Sequence, residues 1–511
     1  EGQIAHVSAK SPSQSIWVGT AMEEPWVAAI EQALVLWPYV ATLLNVVVSL
    51  VATGHAVLSK RDTRAAIGWA GVIWLAPILG VLLYVWLGIN RIERRARSLR
   101  TGHRHPQAFA GPSACPIEAL DRALATEGAH LKSLDRLVRQ VSRRPLAAGN
   151  RVTPLVNGDL AYPAMLEAID AAARSITLST YIFAHDGTGE RFLDALRRAV
   201  ARRVEVRVLI DDVGARYSWQ PMPRALRRAG ITCARFLPTL IPWRFQYSNL
   251  RNHRKILVVD GRIGFTGGIN IHEQNCLERQ PRHPIRDLHF RISGPVVTQF
   301  QEAFADDWTF CTGELLEGDS WFSAAEPEGP VLARGIPDGP DDDFETLRLA
   351  LLGAIASAQS SILIVTPYFL PDASLIAALN VAALRGVQVD IVLPAENDLA
   401  LVQWASTALL WQVLQRGCRV WLSPRPFDHT KLMLVDNLWT LFGSANWDPR
   451  SLRLNFEFNV ECYDRQLATS LTDLVQSKIQ QSRSLTLADV DGRSLPRRLR
   501  DGGARLFSPY L

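Results

Sequence analysis

Residues 427–448 read FDHTKLMLVDNLWTLFGSANWD, and residues 252–270 read NHRKILVVDGRIGFTGGIN. Both run His, any residue, Lys, four residues, Asp, and both continue to a small-residue pair and an Asn. His253 to His429, Lys255 to Lys431, Asp260 to Asp436 and Asn270 to Asn446 are all 176 residues apart. With 11 His in 511 residues, two such stretches with matched sequels are not chance. The chain carries an internal duplication, and the fold follows from it.

Working outward, MLEAIDAAARSITLSTYIF (165–183) reads as an amphipathic helix and then a strand. FLDALRRAVARRVEVRVLIDD (192–212) repeats helix and strand. The same two units return as LRLALLGAIASAQSSILIVTPYF (347–369) and LIAALNVAALRGVQVDIVLP (375–394), with Tyr368 standing where Tyr181 stood. A Gly/Pro/acid-rich stretch, EPEGPVLARGIPDGPDDD (326–343), separates the copies. Alternating helices and strands predict an α/β layer fold in each half, with halves at 151–325 and 326–511.

Within each motif, HRKILVV reads as a strand, DG as a two-residue hairpin turn and RIGFTGG as the return strand. That register sets Gly268 opposite His253 and Ser444 opposite His429, leaving room beside each imidazole, with Asn270 or Asn446 just beyond. Such a floor suits a phosphodiester. One neutral His attacks phosphorus and a second, protonated His donates to the leaving alkoxide. Two Lys and two Asn amides hold the non-bridging oxygens in the transition state. One copy supplies half of this site, and two copies facing across a pseudo-two-fold axis supply all of it. Asp260 and Asp436 are catalytic candidates, although Asp also favours such turns for its own sake. Asp287 in IRDLHF and Glu457 in LNFEFN are better placed to orient the imidazoles, each expected to accept the Nδ1 proton of its own half's His. No carboxylate cluster suggests a metal, and the chemistry calls for no cofactor.

Charged residues are 21% and apolar residues 48%, which excludes a disordered chain. Six of the 55 basic residues are Lys, and two of those six sit in the repeated motif. The six Cys are scattered without metal or disulfide spacing. Two apolar stretches, Ala33 to Leu58 and Ala65 to Ile89, are each long enough to cross roughly 30 Å of hydrocarbon as a helix. Joined by the short link SKRDTR, they predict a transmembrane hairpin over 33–90, after an N-terminal tail (1–32) whose Glu23, Glu24 and Glu31 do not suit a signal peptide. The cluster Arg91, Arg94, Arg95, Arg97 and Arg100 outweighs the basic residues of the link and puts the large body in the cytoplasm, against anionic headgroups. A basic connector with an amphipathic helix is expected over 91–150.

NLRNHRK, FTGGIN, RDLHFRISGP, TPYFLP and SANWDPRSLRLNFEFNVE, behind a hydrophobic hairpin, resemble bacterial cardiolipin synthases of the phospholipase D superfamily. The resemblance covers roughly residues 35 to 511. It implies two α/β/α halves around one cleft in a multi-pass protein of the bacterial inner membrane. It also implies transfer of a phosphatidyl group from one phosphatidylglycerol to another, with cardiolipin and glycerol as products. By resemblance His253, Lys255, Asp260, His429, Lys431 and Asp436 are the catalytic set, with His253 as nucleophile and His429 as general acid. NIHEQN departs from the family's usual pattern near Glu273 and Gln274, as does Asp428 before the second His. The oligomeric state is left open. A phospholipase D using water, or a transferase using phosphatidylethanolamine, are alternatives within the same chemistry. A nuclease on this scaffold is disfavoured by the hairpin and by the apolar FLPTLIPWRFQY (236–247), so no nucleic-acid partner is expected. Intact His and Lys in both copies argue against a non-enzymatic scaffold.

Overall fold

The motif hairpins lie one strand out from the central pair of one long mixed sheet, on either side of it. The structure, a computed structural model, describes residues 25–60, 63–88, 115, 117–216, 221–238, 250–324, 326–340 and 343–508. The arginine cluster at 91–100 and most of the 236–247 stretch lie outside the described residues. Two compact units divide the chain, Glu1–Asn90 and Arg91–Leu511.

In the first unit a helix spans Pro25–Ser59, and its Gln32–Ser59 portion reaches a mean hydropathy of 2.1 over 18 residues. It is the one helix, among the described residues, long and apolar enough to cross a membrane. The second apolar stretch is not one continuous helix. It runs as Thr63–Leu75, breaks at Ala76, and resumes as Pro77–Leu83 with a π-helical turn over Tyr84–Gly88. Pro77 explains the break, since it has no N–H to donate and disfavours helical backbone in the residue before it. The two segments pack on each other through Ala52, Ala56, Ile73 and Tyr84, and the Tyr84 hydroxyl lies 2.7 Å from His55 Nδ1.

Among the described residues the second unit is built on one sheet of fifteen strands, with a separate two-stranded pair beside it. At the middle, Val331–Asp338 pairs antiparallel with Ala147–Val156. From Ala147–Val156 outward come Leu288–Ser293, Ile263–Gly267, Ile256–Val259, Ser175–Thr180, Glu205–Asp211 and Thr232–Phe236. From Val331–Asp338 the other way come Glu457–Tyr463, Trp439–Gly443, Leu432–Val435, Ser361–Val365, Gln388–Pro394 and Arg419–Ser423, with Arg483–Leu485 at the edge. The outer three strands of the first series are parallel, as are their counterparts in the second, and the motif hairpin runs antiparallel beside them. Helix starts repeat too. Asp186 caps Gly187–Ala201 by accepting from the amides of Thr188 and Gly189, and Asp372 caps Ala373–Leu384 through Ser374 and Leu375.

The two strand series share a core. Phe290 stacks on Phe442 with ring centroids 3.6 Å apart, and Phe300 meets Phe458 edge-on at 4.8 Å. Each such side chain contributes roughly 1.5–3 kcal/mol on burial, so the series are not free to hinge as separate bodies. The connector folds onto a separate core, on helix Thr346–Ser357. Leu131, Leu134 and Val138 pack with Leu347, Leu351 and Ile355, and Asp135 meets the fully buried Arg334.

Candidate active site

Each motif hairpin is one residue longer in its turn than the sequence predicts. Asp260 and Gly261 both take positive φ, and the Arg262 amide closes on the Val259 carbonyl at 3.0 Å. The ladder, however, pairs Val259 with Ile263, leaving Arg262 as an extra residue. Asp436 and Asn437 repeat this, with Val435 paired to Trp439. The slip removes Gly268 and Ser444 from positions opposite the imidazoles and gives them other work. A Cβ on Gly268 would fall 2.2 Å from Asp287 Oδ1, so the glycine makes room for that carboxylate. Ser444 Oγ donates to Glu457 Oε2 at 2.5 Å.

The carboxylates are exchanged between halves, contrary to the expectation that each serves its own His. His253 Nδ1 lies 3.0 Å from both oxygens of Glu457, and His429 Nδ1 lies 2.8 Å from Asp287 Oδ2. The backbone dictates this exchange. Asn252 bridges to Phe456, the His253 amide donates to the Phe456 carbonyl at 2.9 Å, and the next residue on that strand is Glu457. In mirror fashion Phe427–Asp428 pairs with Ile285–Arg286, the His429 amide donates to the Arg286 carbonyl at 2.8 Å, and Asp287 follows. Two short parallel bridges thus carry each imidazole to the carboxylate of the opposite half.

His253, His429, Asn270, Asn446 and Gly268 all line one cavity of about 300 Å³. Asn270 Oδ1 accepts from the Ile182 amide at 3.2 Å, which leaves its Nδ2 as a donor. Ser444 is buried behind Glu457 rather than in the cavity lining. Lys255 and Lys431 are buried beneath, each donating to the carbonyl of the His two residues before it at 2.7 Å. Asp260 and Asp436 are not among the residues that line the cavity. Asp260 accepts from the amides of Ala173, Arg174 and Ser175, and Asp436 from those of Gln359, Ser360 and Ser361. His130 also reaches Asp436 at 2.7 Å. These two acids tie the turn to the start of the neighbouring strand and touch nothing in the cavity, which corrects their catalytic assignment. Asp428 points away from the cavity into an ion pair with Lys478, as a strand neighbour should.

Burial pushes Lys255 down to about 7 and Lys431 down to about 8. It lowers His253 and, joined by Lys431 and Lys255, takes His429 well below its ordinary value. The two acids part company. Burial pushes Asp287 up to about 7, whereas in Glu457 burial is outweighed by His253, Lys255 and Ser444, which hold it below the usual carboxylate range. The Asp287–His429 pair therefore keeps a shared proton near neutral pH, while His253 is neutral against an ionised partner. One side is equipped to give a proton and the other to attack.

Tyr181, Tyr368, His272, Asp448 and Arg450 also line the cavity, and the sequence reading does not assign them to it. Tyr181 stands edge-on to His253 at 5.2 Å and Tyr368 to His429 at 6.3 Å; their matched place in the repeat was the available signal. His272 and Gln274 line the first side and Asp448 and Arg450 the second, at positions 176 apart, so the two sides differ where a substrate would touch them.

Residues 165–308 and 351–479, just over half of the chain, match the family described as "Cardiolipin synthase, PLD-like domain", one motif in each segment. "Cardiolipin synthase A" of Pseudomonas putida (strain GB-1) is 35% identical over 466 residues, covering 90% of this chain and 96% of that protein. The chain belongs to the cardiolipin synthase family. The Pseudomonas aeruginosa (strain LESB58) "Cardiolipin synthase A" is 35% identical over 475 residues, 91% of this chain and 94% of that protein. Among solved structures, phosphatidylserine synthase of Haemophilus influenzae Rd KW20 aligns with a TM-score of 0.57 at 15% identity, covering 74% of this chain and 100% of that one. That likeness is one of fold. This cardiolipin synthase family member thus has a mixed α/β body and an N-terminal apolar helix.

Proposed function

We propose that this chain transfers a phosphatidyl group from one phosphatidylglycerol to the glycerol hydroxyl of another, giving cardiolipin and glycerol through a phosphohistidine. The observation that carries the reading is that two imidazoles, each fixed by a carboxylate of the opposite half, open onto one cavity. In the first step Nε2 of His253 attacks phosphorus, the bond to the glycerol oxygen breaks, and the Asp287–His429 pair gives that oxygen its proton. In the second, His429 takes the proton of the incoming hydroxyl, its oxygen attacks phosphorus, and the P–N bond breaks. Glu457 holds the Nδ1 proton of His253 throughout, so the Nε2 lone pair faces the substrate. Lys255, Lys431 and the amides of Asn270 and Asn446 stabilise the charge that grows on the non-bridging oxygens.

In this reading the halves at 151–325 and 326–511 are related by a pseudo-two-fold axis, in agreement with the matched strand order on either side of the sheet's middle. The two apolar segments of residues 33–90 form a membrane hairpin, the second kinked at Pro77. The catalytic body faces the cytoplasm of a bacterial inner membrane, drawn to anionic lipid by the arginines at 91–100. The test is product identity. Full-length protein in detergent with phosphatidylglycerol labelled in its head-group glycerol is expected to yield cardiolipin and free labelled glycerol, read by mass. Phosphatidic acid as sole product would assign the chain to hydrolysis, and dependence on added phosphatidylethanolamine would assign a mixed-donor transferase.

A further inference from the structure

The helix Leu495–Arg505 has two faces of opposite character. One is fixed to the body. Asp501 and Ala504 are buried, Asp501 takes hydrogen bonds from Arg500 at 2.9 and 2.7 Å and pairs with Arg493, and the Arg500 guanidinium sits 4.4 Å over the Trp404 ring. The other face carries Leu495 and Leu499, and Leu506 at the C-cap, still in helical backbone, continues the stripe at spacings of four and seven residues. These three are 65%, 67% and 79% exposed, and Phe507 beside them is 56% exposed. Arg497, Arg498 and Arg505 are exposed on the same segment, and their side chains make no ion pair or hydrogen bond among the described residues.

This helix lies one side-chain layer from the active cavity. Ala504 shares a small core with Val402 and Ala405 of the helix Ala400–Thr407, and Val402 and the half-exposed Leu399 line the cavity. An apolar stripe accompanied by uncompensated arginines is the pattern of a helix lying in a headgroup region, where leucines enter the acyl boundary and guanidinium groups meet phosphates. The geometry points to the helix Leu495–Arg505 as a contact with an anionic bilayer surface, holding the cavity wall at the lipid from which substrate is drawn. That last role rests on the phosphatidyl-transfer reading; the surface contact itself does not.

The test uses the full chain in vesicles of phosphatidylglycerol and phosphatidylethanolamine, with photoreactive benzoylphenylalanine replacing Leu499 or Phe507 in turn. Arg262, exposed in the first hairpin turn at the end away from His253, is the control position. Lipid adducts at 499 and 507 at least tenfold above 262 are expected, and fewer in phosphatidylcholine vesicles. Adducts no greater than at 262, or adducts to a second protein chain in their place, overturn the inference. A Leu495→Ser, Leu499→Ser, Leu506→Ser variant should lose tenfold or more of its turnover on vesicles while keeping that on a short-chain, monomeric phosphatidylglycerol. Equal losses on both substrates would contradict the proposed role. A preparation with no turnover on either substrate speaks against phosphatidyl transfer, while the adduct pattern still decides the surface contact.

Discussion

Replacing Glu457 by Gln should disable His253, although the two belong to different halves of the chain. Glu457 is fully buried and lies 3.0 Å from His253 Nδ1 through both oxygens. Losing one charge-assisted hydrogen bond costs about 1.5–3 kcal/mol, which is roughly 10- to 150-fold in rate. A Gln side chain can also donate to Nδ1, moving the ring proton to Nε2 and removing the attacking lone pair, an effect that reaches about 10⁴-fold in a Ser–His–Asp site. The expected fall in kcat for Glu457→Gln is therefore between about 10- and 10⁴-fold. Asp287→Asn, which bears on His429 at 2.8 Å, should fall comparably with phosphatidylglycerol. A nitrophenyl phosphodiester lipid separates the two, because its leaving group needs no proton. The assay is the burst of nitrophenol in a single turnover. Asp287→Asn should recover a burst rate within about tenfold of wild type, whereas Glu457→Gln should remain at its full deficit. Recovery by Glu457→Gln, with Asp287→Asn still impaired, would refute His253 as the nucleophile held by Glu457.

Gly268→Ala should cut activity by at least about tenfold with little change in fold, since its Cβ would displace Asp287 from His429; kcat together with circular dichroism checks this. The pH profile of kcat/KM should be a bell. It is lost as pH falls, once His253 takes up a proton, with a midpoint below the ordinary imidazole value because burial lowers it. It is lost as pH rises through about 7 to 8, as the Asp287–His429 pair and then Lys255 and Lys431 give up their protons. An alkaline limb only near the ordinary lysine range would contradict this. Asp436→Ala should lower unfolding stability by about 2–3 kcal/mol, from several lost backbone hydrogen bonds, while kcat changes less than about threefold. Denaturant melts and turnover measured on the same preparation decide between that structural role and a catalytic one.

The repeat spacing, the alternation of helix and strand and the pair of imidazoles are legible in the sequence, because they are written as local patterns. What escapes it is set by contacts between distant segments. Asp287 and Glu457 can be singled out as orienting acids, but their exchange depends on bridges joining Asn252 to Phe456 and Asp428 to Arg286, which no periodicity encodes. The register of the hairpins fails by one residue because a DG pair signals a tight turn without revealing that Arg262 stays out of the ladder. Asp260 and Asp436 recur at motif spacing for the reason that catalytic groups would, since both copies need the same turn tied to the same strand start. In the N-terminal unit, composition alone gives two equal apolar stretches, and Pro77 makes them unequal.

The proposed reaction needs two imidazoles acting on one phosphorus, and the most direct measurement is the site of the covalent intermediate. His429→Ala, incubated with the nitrophenyl phosphodiester lipid and quenched in alkali, should accumulate a phosphatidyl group on the peptide containing His253, because no base remains to activate the acceptor. His253→Ala treated in the same way should carry none. Equal labelling of His429 in His253→Ala, or no labelled histidine in either variant, would contradict it.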